Sequence, residues 1–232
     1  MEAVLLNTSG GLTDGDRLTT ELHWRQESRA IVTTQAAERI YRAATRDVAR
    51  VITRISIDDN SVACWLPQET IVFDGARLTR SLEIDVPSTS HLVALESTVF
   101  GRQAMGETVN YGRISERWRI RVDNRLAFAD HFLIDDQLTG RVGDYLDLAS
   151  VANSAHCIAT IVIVAPDRDK IVENARSLAI PTDVVVGATC LDRLAVLRIL
   201  AGDSQAMRTA IGQIVASLGG ALDIELPQVW HC

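Results

Sequence analysis

Residues 117–122 read Arg-Trp-Arg-Ile-Arg-Val, which puts Trp118, Ile120 and Val122 on one side of an extended chain and Arg117, Arg119 and Arg121 on the other. A strict period of two with one apolar side is the mark of a half-buried β-strand. Working outward, Leu82, Ile84 and Val86 alternate in the same way with Ser81, Glu83 and Asp85. Val51, Thr53, Ile55 and Ile57 add a third strand, and Ala30 to Thr34 a fourth. Between these runs lie Asp58-Asp59-Asn60, Asp74-Gly75 and Asp123-Asn124, residue types that accept the tight backbone angles of turns. Short strands at regular spacing predict an antiparallel β-sandwich or stacked-sheet architecture.

After about Val151 the pattern changes. Ile158 to Val164 is a continuous β-branched run, and Pro166-Asp167 opens an amphipathic stretch in which Ile171, Val172, Ala175 and Leu178 share one helical side. Thr182 to Ala188 reads as a further strand, whereas Leu194 to Leu200 fits a strand or a short helix. Gly202 and Asp203 then supply a stop and an N-cap. Met207, Ile211, Ile214, Val215 and Leu218 form the stripe of a second helix that is expected to end at Gly219-Gly220. The expected fold is mainly β with a few helices and a C-terminal α+β portion. With no linker or internal repeat in view, residues 1–232 read as a single domain.

Composition narrows the function. Thirty acidic residues against 23 basic ones give a net charge of −7, the wrong sign for a protein that binds by neutralising phosphates, so nucleic acid is not an expected partner. Lys170 is the sole lysine, and arginine fills the other cationic positions. The longest largely apolar run, Cys157 to Pro166, is about half of the roughly 20 residues that a membrane helix needs. Met1 to Gly11 carries no basic segment or apolar core of signal-peptide length, which points to the cytoplasm and to reduced thiols at Cys64, Cys157, Cys190 and Cys232.

The usual catalytic signatures are missing: no paired histidines of a zinc-protease helix, no paired-cysteine knuckle, no Gly-flanked nucleophilic serine. The Gly-rich loop Asn7 to Asp16 lacks the lysine and helix that follow a phosphate cradle, so it reads as a tight connection. His156-Cys157 and His231-Cys232 pair ligands that suit nickel, copper or zinc. Neighbouring strand residues face opposite ways, however, which leaves His231 and Cys232 as the weak metal candidates. His23, His91 and His131 stand alone and read as hydrogen-bonded histidines. The Arg117, Arg119 and Arg121 stripe fits a solvated strand side, opposite Glu83 and Asp85 across a sheet, or a partner-binding surface together with Tyr111.

Six segments, in order, resemble the urease accessory protein family UreD, also called UreH: LLNTSGGLTDGD (5–16), TTQAAERIYRA (33–43), WLPQETIVFDGARL (65–78), FGRQAMGE (100–107), GRISERWRIRVDNRLAFAD (112–130) and LPQVW (226–230). No one of them is a common motif, and together they run through the whole chain. The resemblance implies a β-rich fold, no catalysis of its own, and a scaffold role in urease maturation. In that role the protein meets the urease apoprotein, joins UreF and through it the GTPase UreG, and passes nickel toward the urease site. Family members carry roughly forty further residues before the Gly-rich segment, enough for a few strands. On that comparison the strand starting near Val4 is expected to have an unpaired edge.

A metal in transit needs scattered oxygen or imidazole contacts and no closed four-ligand cage, so no tightly bound cofactor is expected. On the resembling segments, with Glu96 just upstream of one, the candidates for lining a passage or fixing its walls are Thr33, Thr34, Gln35, Glu69, Glu96, Arg102, Glu107 and Asp130. The competing reading of each is a buried hydrogen-bonding residue that only holds the sheet together. The rival function is a β-sandwich enzyme or a binding module for a small substrate, which requires a pocket holding an acid or base of shifted pKa.

Overall fold

In the computed structural model, the described residues are 1–102, 105–222 and 224–231, with the backbone alone at 220, 221 and 231. The chain begins as a solenoid. Its first coil is β1 (Glu2–Leu5) and β2 (Arg17–Trp24), and its second is β3 (Arg29–Thr34), β4 (Glu38–Ile40) and β5 (Ala49–Ile57). The third is β6 (Val62–Trp65), β7 (Thr70–Val72) and β8 (Arg77–Val86), and the fourth is β9 (His91–Phe100) and β10 (Arg113–Val122). Like strands of successive coils lie side by side and parallel: β1, β3, β6 and β9 in a larger, nine-stranded sheet, and β2, β5, β8 and β10 in a smaller, five-stranded one.

This corrects the antiparallel expectation. Two stacked sheets are present, but the coils wrap in one sense, so their strands pair in parallel. Antiparallel pairing begins only with β11 (Arg125–Asp135), which folds back on β10, and β12 (Cys157–Val164), which runs against β9. The side-chain period is two in either case, so alternation alone does not separate them. The coils are also a repeat that the sequence conceals: equivalent strands recur about every 30 residues, as in other repeat architectures, without recurring residues. Glu2 sits beside Ile31, Ile31 beside Cys64 and Cys64 beside Val93.

The turns behave as read. Asn60, Asp123 and Asn124 hold φ of 57°, 50° and 60°, and Gly75 holds 79°. Gly11 has φ 142°, and a Cβ there would lie 2.5 Å from the Arg39 carbonyl oxygen, so the Gly-rich loop packs closely against the next coil at this one glycine.

The C-terminal portion adds α1 (Asp136–Thr139), α2 (Val142–Leu146), α3 (Arg168–Ser177), β13 (Val184–Cys190), β14 (Ala195–Ala201) and α4 (Ser204–Leu222), with a closing 3-10 turn at Gln228–His231. The segment that fitted strand or helix is β14, paired on both sides by β12 and β13. Asp203 caps α4 as expected, accepting the Ala206 N–H at 2.9 Å. The helix does not stop at the glycine pair but continues to Leu222. A Cβ at Gly219 would sit 3.1 Å from the Ile224 carbonyl, so this glycine lets the returning chain approach.

Helices α3 and α4 lay Ile171, Val172, Ile211, Ile214 and Leu218 on the outer side of the larger sheet, which is thereby buried on both sides. The smaller sheet keeps its outer side in water. Between the sheets lie two separate apolar clusters, one around Trp24, Ile55, Ile84 and Ile120, the other around Ile40, Leu78, Phe100 and Ile114.

Candidate functional site

What separates the two inner clusters is charge. In β8 the inward row is Leu78, Arg80, Leu82, Ile84 and Val86, and in β10 it is Ile114, Glu116, Trp118, Ile120 and Val122; register places Arg80 directly beside Glu116. Facing them from the larger sheet are Glu96 and Thr98 of β9, with Thr70 of β7 beside Thr98. Arg80 fills this gap. Its Nη1 lies 2.7 Å from Glu96 Oε2 and donates to Thr70 Oγ1 at 2.7 Å. Its Nη2 donates to Glu116 Oε1 at 2.7 Å and to Thr98 Oγ1 at 2.9 Å. Trp65 Nε1 donates to Glu96 Oε1 at 3.0 Å, and the Thr98 hydroxyl donates to Glu116 Oε1 at 2.7 Å.

Arg80 and Glu96 side chains are each only 7% exposed. Burial pushes the Glu96 carboxyl above the ordinary glutamate range, with the charge of Glu116 adding to it, while Arg80 and the Trp65 hydrogen bond pull the other way. Burial works against the Arg80 charge too, but Glu116 and Glu96 outweigh it and hold the guanidinium above its usual value. One guanidinium thus serves two carboxylates, one from each sheet.

Access comes from the first coils. A cleft of about 600 Å³ runs from Asn7 and Gly10 at the surface, past Gln35 and Thr53, to Trp65, Arg80 and Glu96. Away from the cleft the polar row continues across the larger sheet. Thr160 of β12 is the register neighbour of both Glu96 and Arg198 of β14, and Arg198 pairs with Asp130 of β11 at 3.0 Å. A polar belt therefore crosses the sandwich from the cleft to the half-exposed Arg198.

The structure brings some candidates into this belt and leaves others apart. Glu96 is at its centre, Thr34 and Gln35 line the cleft, and Asp130 stands at the far end. Thr33 points to the other side of the larger sheet, where its hydroxyl donates to the Leu66 carbonyl at 2.6 Å and accepts from Trp230 Nε1 at 3.3 Å. Glu69 belongs to the same outer contact, paired with Arg208 of α4 at 3.1 Å, and Arg208 also donates to Gln68 and to the Trp230 carbonyl. Thr33 and Glu69 therefore hold the C-terminal turn in place. Arg102 and Glu107 pair with each other at 2.8 Å near the coil turns, Arg102 lying over the Phe73 ring.

Of the surface candidates, Arg117 and Arg119 are exposed, and Arg121 reaches Asp85 at 3.5 Å. Arg119 is the register neighbour of Glu83, so the cross-sheet pairing read from the sequence is present. Tyr111 is 57% exposed but precedes β10, and at about 3.3 Å per residue the strand separates it from Arg121 by about 30 Å, so the four do not form one patch. Cys232 and the His231 side chain lie outside the described residues. Among the described residues no three His, Cys, Asp or Glu side chains converge on a metal-sized site. His23 bonds Asp58 and His131 bonds Ser115 as read, whereas the buried His91 Nδ1 has no hydrogen-bond partner among the described residues. Burial pushes the Cys64 and Cys157 thiols up to about 12, which makes them inert core residues.

Sequence reading missed Arg80, Glu116, Thr160 and Arg198. The signal for the first two was available: each lies in phase with an apolar row, where an arginine or glutamate has to be paired.

The sequence matches the profile of a family described as UreD urease accessory protein over residues 1–231. It is 39% identical over 230 residues to the urease accessory protein UreD of Chelativorans sp., covering 99% of this chain and 80% of that one. It is 37% identical over 239 residues to urease accessory protein UreD 1 of Brucella anthropi, covering 99% and 81%. With the UreD of Mesorhizobium japonicum it shares 36% identity over 231 residues, covering 99% and 80%.

Proposed function

The chain belongs to the UreD family of urease accessory proteins, and on that premise we propose that it is a cytoplasmic, non-catalytic scaffold that passes nickel toward apo-urease in a complex with UreF and UreG. The observation that carries the passage is the belt itself. A two-sheet interior gains most by being apolar throughout, and burying charge costs several kcal/mol per ion, by rough estimate, unless it is paired. Here a cleft, a buried carboxylate pair and a distal carboxylate lie in one line between two apolar clusters. Oxygen ligands spread along a path, none grouped into a cage, suit a cation that moves.

The rival enzyme reading finds its shifted acid in Glu96, but Arg80 and Trp65 already occupy both carboxylate oxygens. The passage reading is the better supported. Its test is Glu96→Gln, co-expressed with urease and the other accessory proteins, with urease nickel content measured directly. A severalfold loss of nickel per urease at unchanged complex formation is the expected result; full loading overturns the passage.

The exposed Arg117 and Arg119 support a partner-binding side on the smaller sheet, where arginine anchors are favoured. Charge reversal at Arg117, Arg119 and Arg121 together is expected to weaken capture of UreF at least tenfold, and unchanged capture returns the stripe to a solvated surface.

A further inference from the structure

Building on the passage reading, we infer that Arg80 is a gate: its guanidinium sits where a divalent cation would otherwise bind, and a metal ion passes only by displacing it. The four acceptor groups around Arg80 are all oxygens, two carboxylates from opposite sheets and two threonine hydroxyls, each within 2.9 Å of a guanidinium nitrogen. Glu96, Glu116, Thr70 and Thr98 form a hard-oxygen donor set of the kind that holds divalent ions. Left empty, two facing buried carboxylates would protonate or retain a metal permanently, and neither state suits a passage.

A guanidinium prevents both outcomes. It is never deprotonated, so it stays a fixed positive charge between the two carboxylates. It also competes with any arriving cation, since a monocation and a dication cannot share one pair of carboxylates in a low-dielectric interior. The exchange needs somewhere for the displaced side chain to go, and Arg80 itself lines the cleft of about 600 Å³. The Trp65 N–H fixes Glu96 from the side away from Arg80, so the carboxylate keeps its position as the guanidinium leaves. No covalent step is involved: one cation replaces another, and the cost of breaking the Arg80 ion pairs keeps the metal's residence weak.

The experiment is nickel binding to the full chain, by equilibrium dialysis and calorimetry, with manganese as an oxygen-preferring probe. Arg80→Met is expected to gain one equivalent of bound metal with affinity at least about tenfold above the parent protein, a difference well within calorimetric reach. Adding Glu96→Gln and Glu116→Gln to that variant is expected to abolish the gain. Equal binding by parent and Arg80→Met overturns the gate. Because the unpaired carboxylates destabilise Arg80→Met, Arg80→Gln serves as the second variant, and nickel is expected to raise the melting temperature of either one. If neither folds with or without metal, Arg80 is a structural strut and the inference fails. The passage itself is tested separately by urease loading: a normal Arg80→Met binding profile with loading still lost in Glu96→Gln removes the gate and keeps the passage. A gained site with normal loading in Glu96→Gln removes the passage and the gate with it, and leaves only a metal site masked by Arg80.

Discussion

In the larger sheet Leu95, Ile161 and Leu197 are wholly buried beneath the helices while their neighbours Glu96, Thr160 and Arg198 face the interior; in the smaller sheet Arg80 is buried while Arg119, one strand away, stands in water. Both sheets thus carry polar residues, under different constraints. The centre of the larger one has no solvated side, so a charged residue there must find a partner within the fold. The smaller one has a whole side where arginines and carboxylates are merely solvated. The meaning of a charge is set by the row it occupies rather than by its residue type, and Arg80 and Arg119 are the cleanest pair.

The sharpest way to break that contrast is to remove one carboxylate from each environment. Glu96→Leu leaves Arg80 with a single buried partner and is expected to cost about 3–5 kcal/mol, the range for breaking a buried pair. Glu83→Gln removes the carboxylate that faces Arg54 at 3.7 Å, with both side chains more than 40% exposed, and is expected to cost at most about 1 kcal/mol. Urea unfolding of both variants checks the pair. Similar losses would mean that the row does not decide.

Apolar truncations give the next largest difference. Ile161→Ala opens a cavity between the helices and the interior of the larger sheet and is expected to cost about 2–5 kcal/mol. Ile52→Ala, on the partly exposed outer side of the smaller sheet, is expected to cost less than about 1 kcal/mol. The same denaturation midpoints report both.

This contrast also explains what could be read from the sequence. The strand from Arg117 to Val122 announced itself because one side is wet, and Ile158 to Val164 did so because neither side is. Coil stacking stayed hidden because parallel neighbours need share no side-chain signature: Thr20, Thr53, Leu82 and Trp118 occupy one inward row and run from a small hydroxyl to an indole. The site was half legible. Glu96 was found by its place beside a family segment, whereas Arg80 and Glu116 were passed over because arginine and glutamate in an alternating strand look solvated until their phase is counted. Thr160 and Arg198 reach the belt only through the register of β12 and β14, which no local pattern fixes.

The smallest expected effect lies where the two sheets are clipped together. Asp123, in the turn between β10 and β11, accepts the Ser88 N–H at 2.8 Å and pairs with Arg193 at 3.0 Å. Ser88 links β8 to β9, and Arg193 lies between β13 and β14, so one carboxylate joins the end of the smaller sheet to the larger. The Ser88 N–H is the main cause, with the Ser88 hydroxyl and Arg193 adding to it, that holds this carboxyl below its ordinary value of 3.8. A group whose pKa is lowered by folding stabilises the native state above its unfolded value and loses that contribution as pH falls through the folded one. Asp123→Asn keeps the turn, since asparagine tolerates the same positive φ, and its amide oxygen still accepts from Ser88. The variant is therefore expected to melt only slightly below the parent at neutral pH, with the gap closing as pH drops below the ordinary aspartate range. A melting-temperature difference that stays constant from neutral pH into that acid range would show that the carboxylate charge is not what clips the sheets.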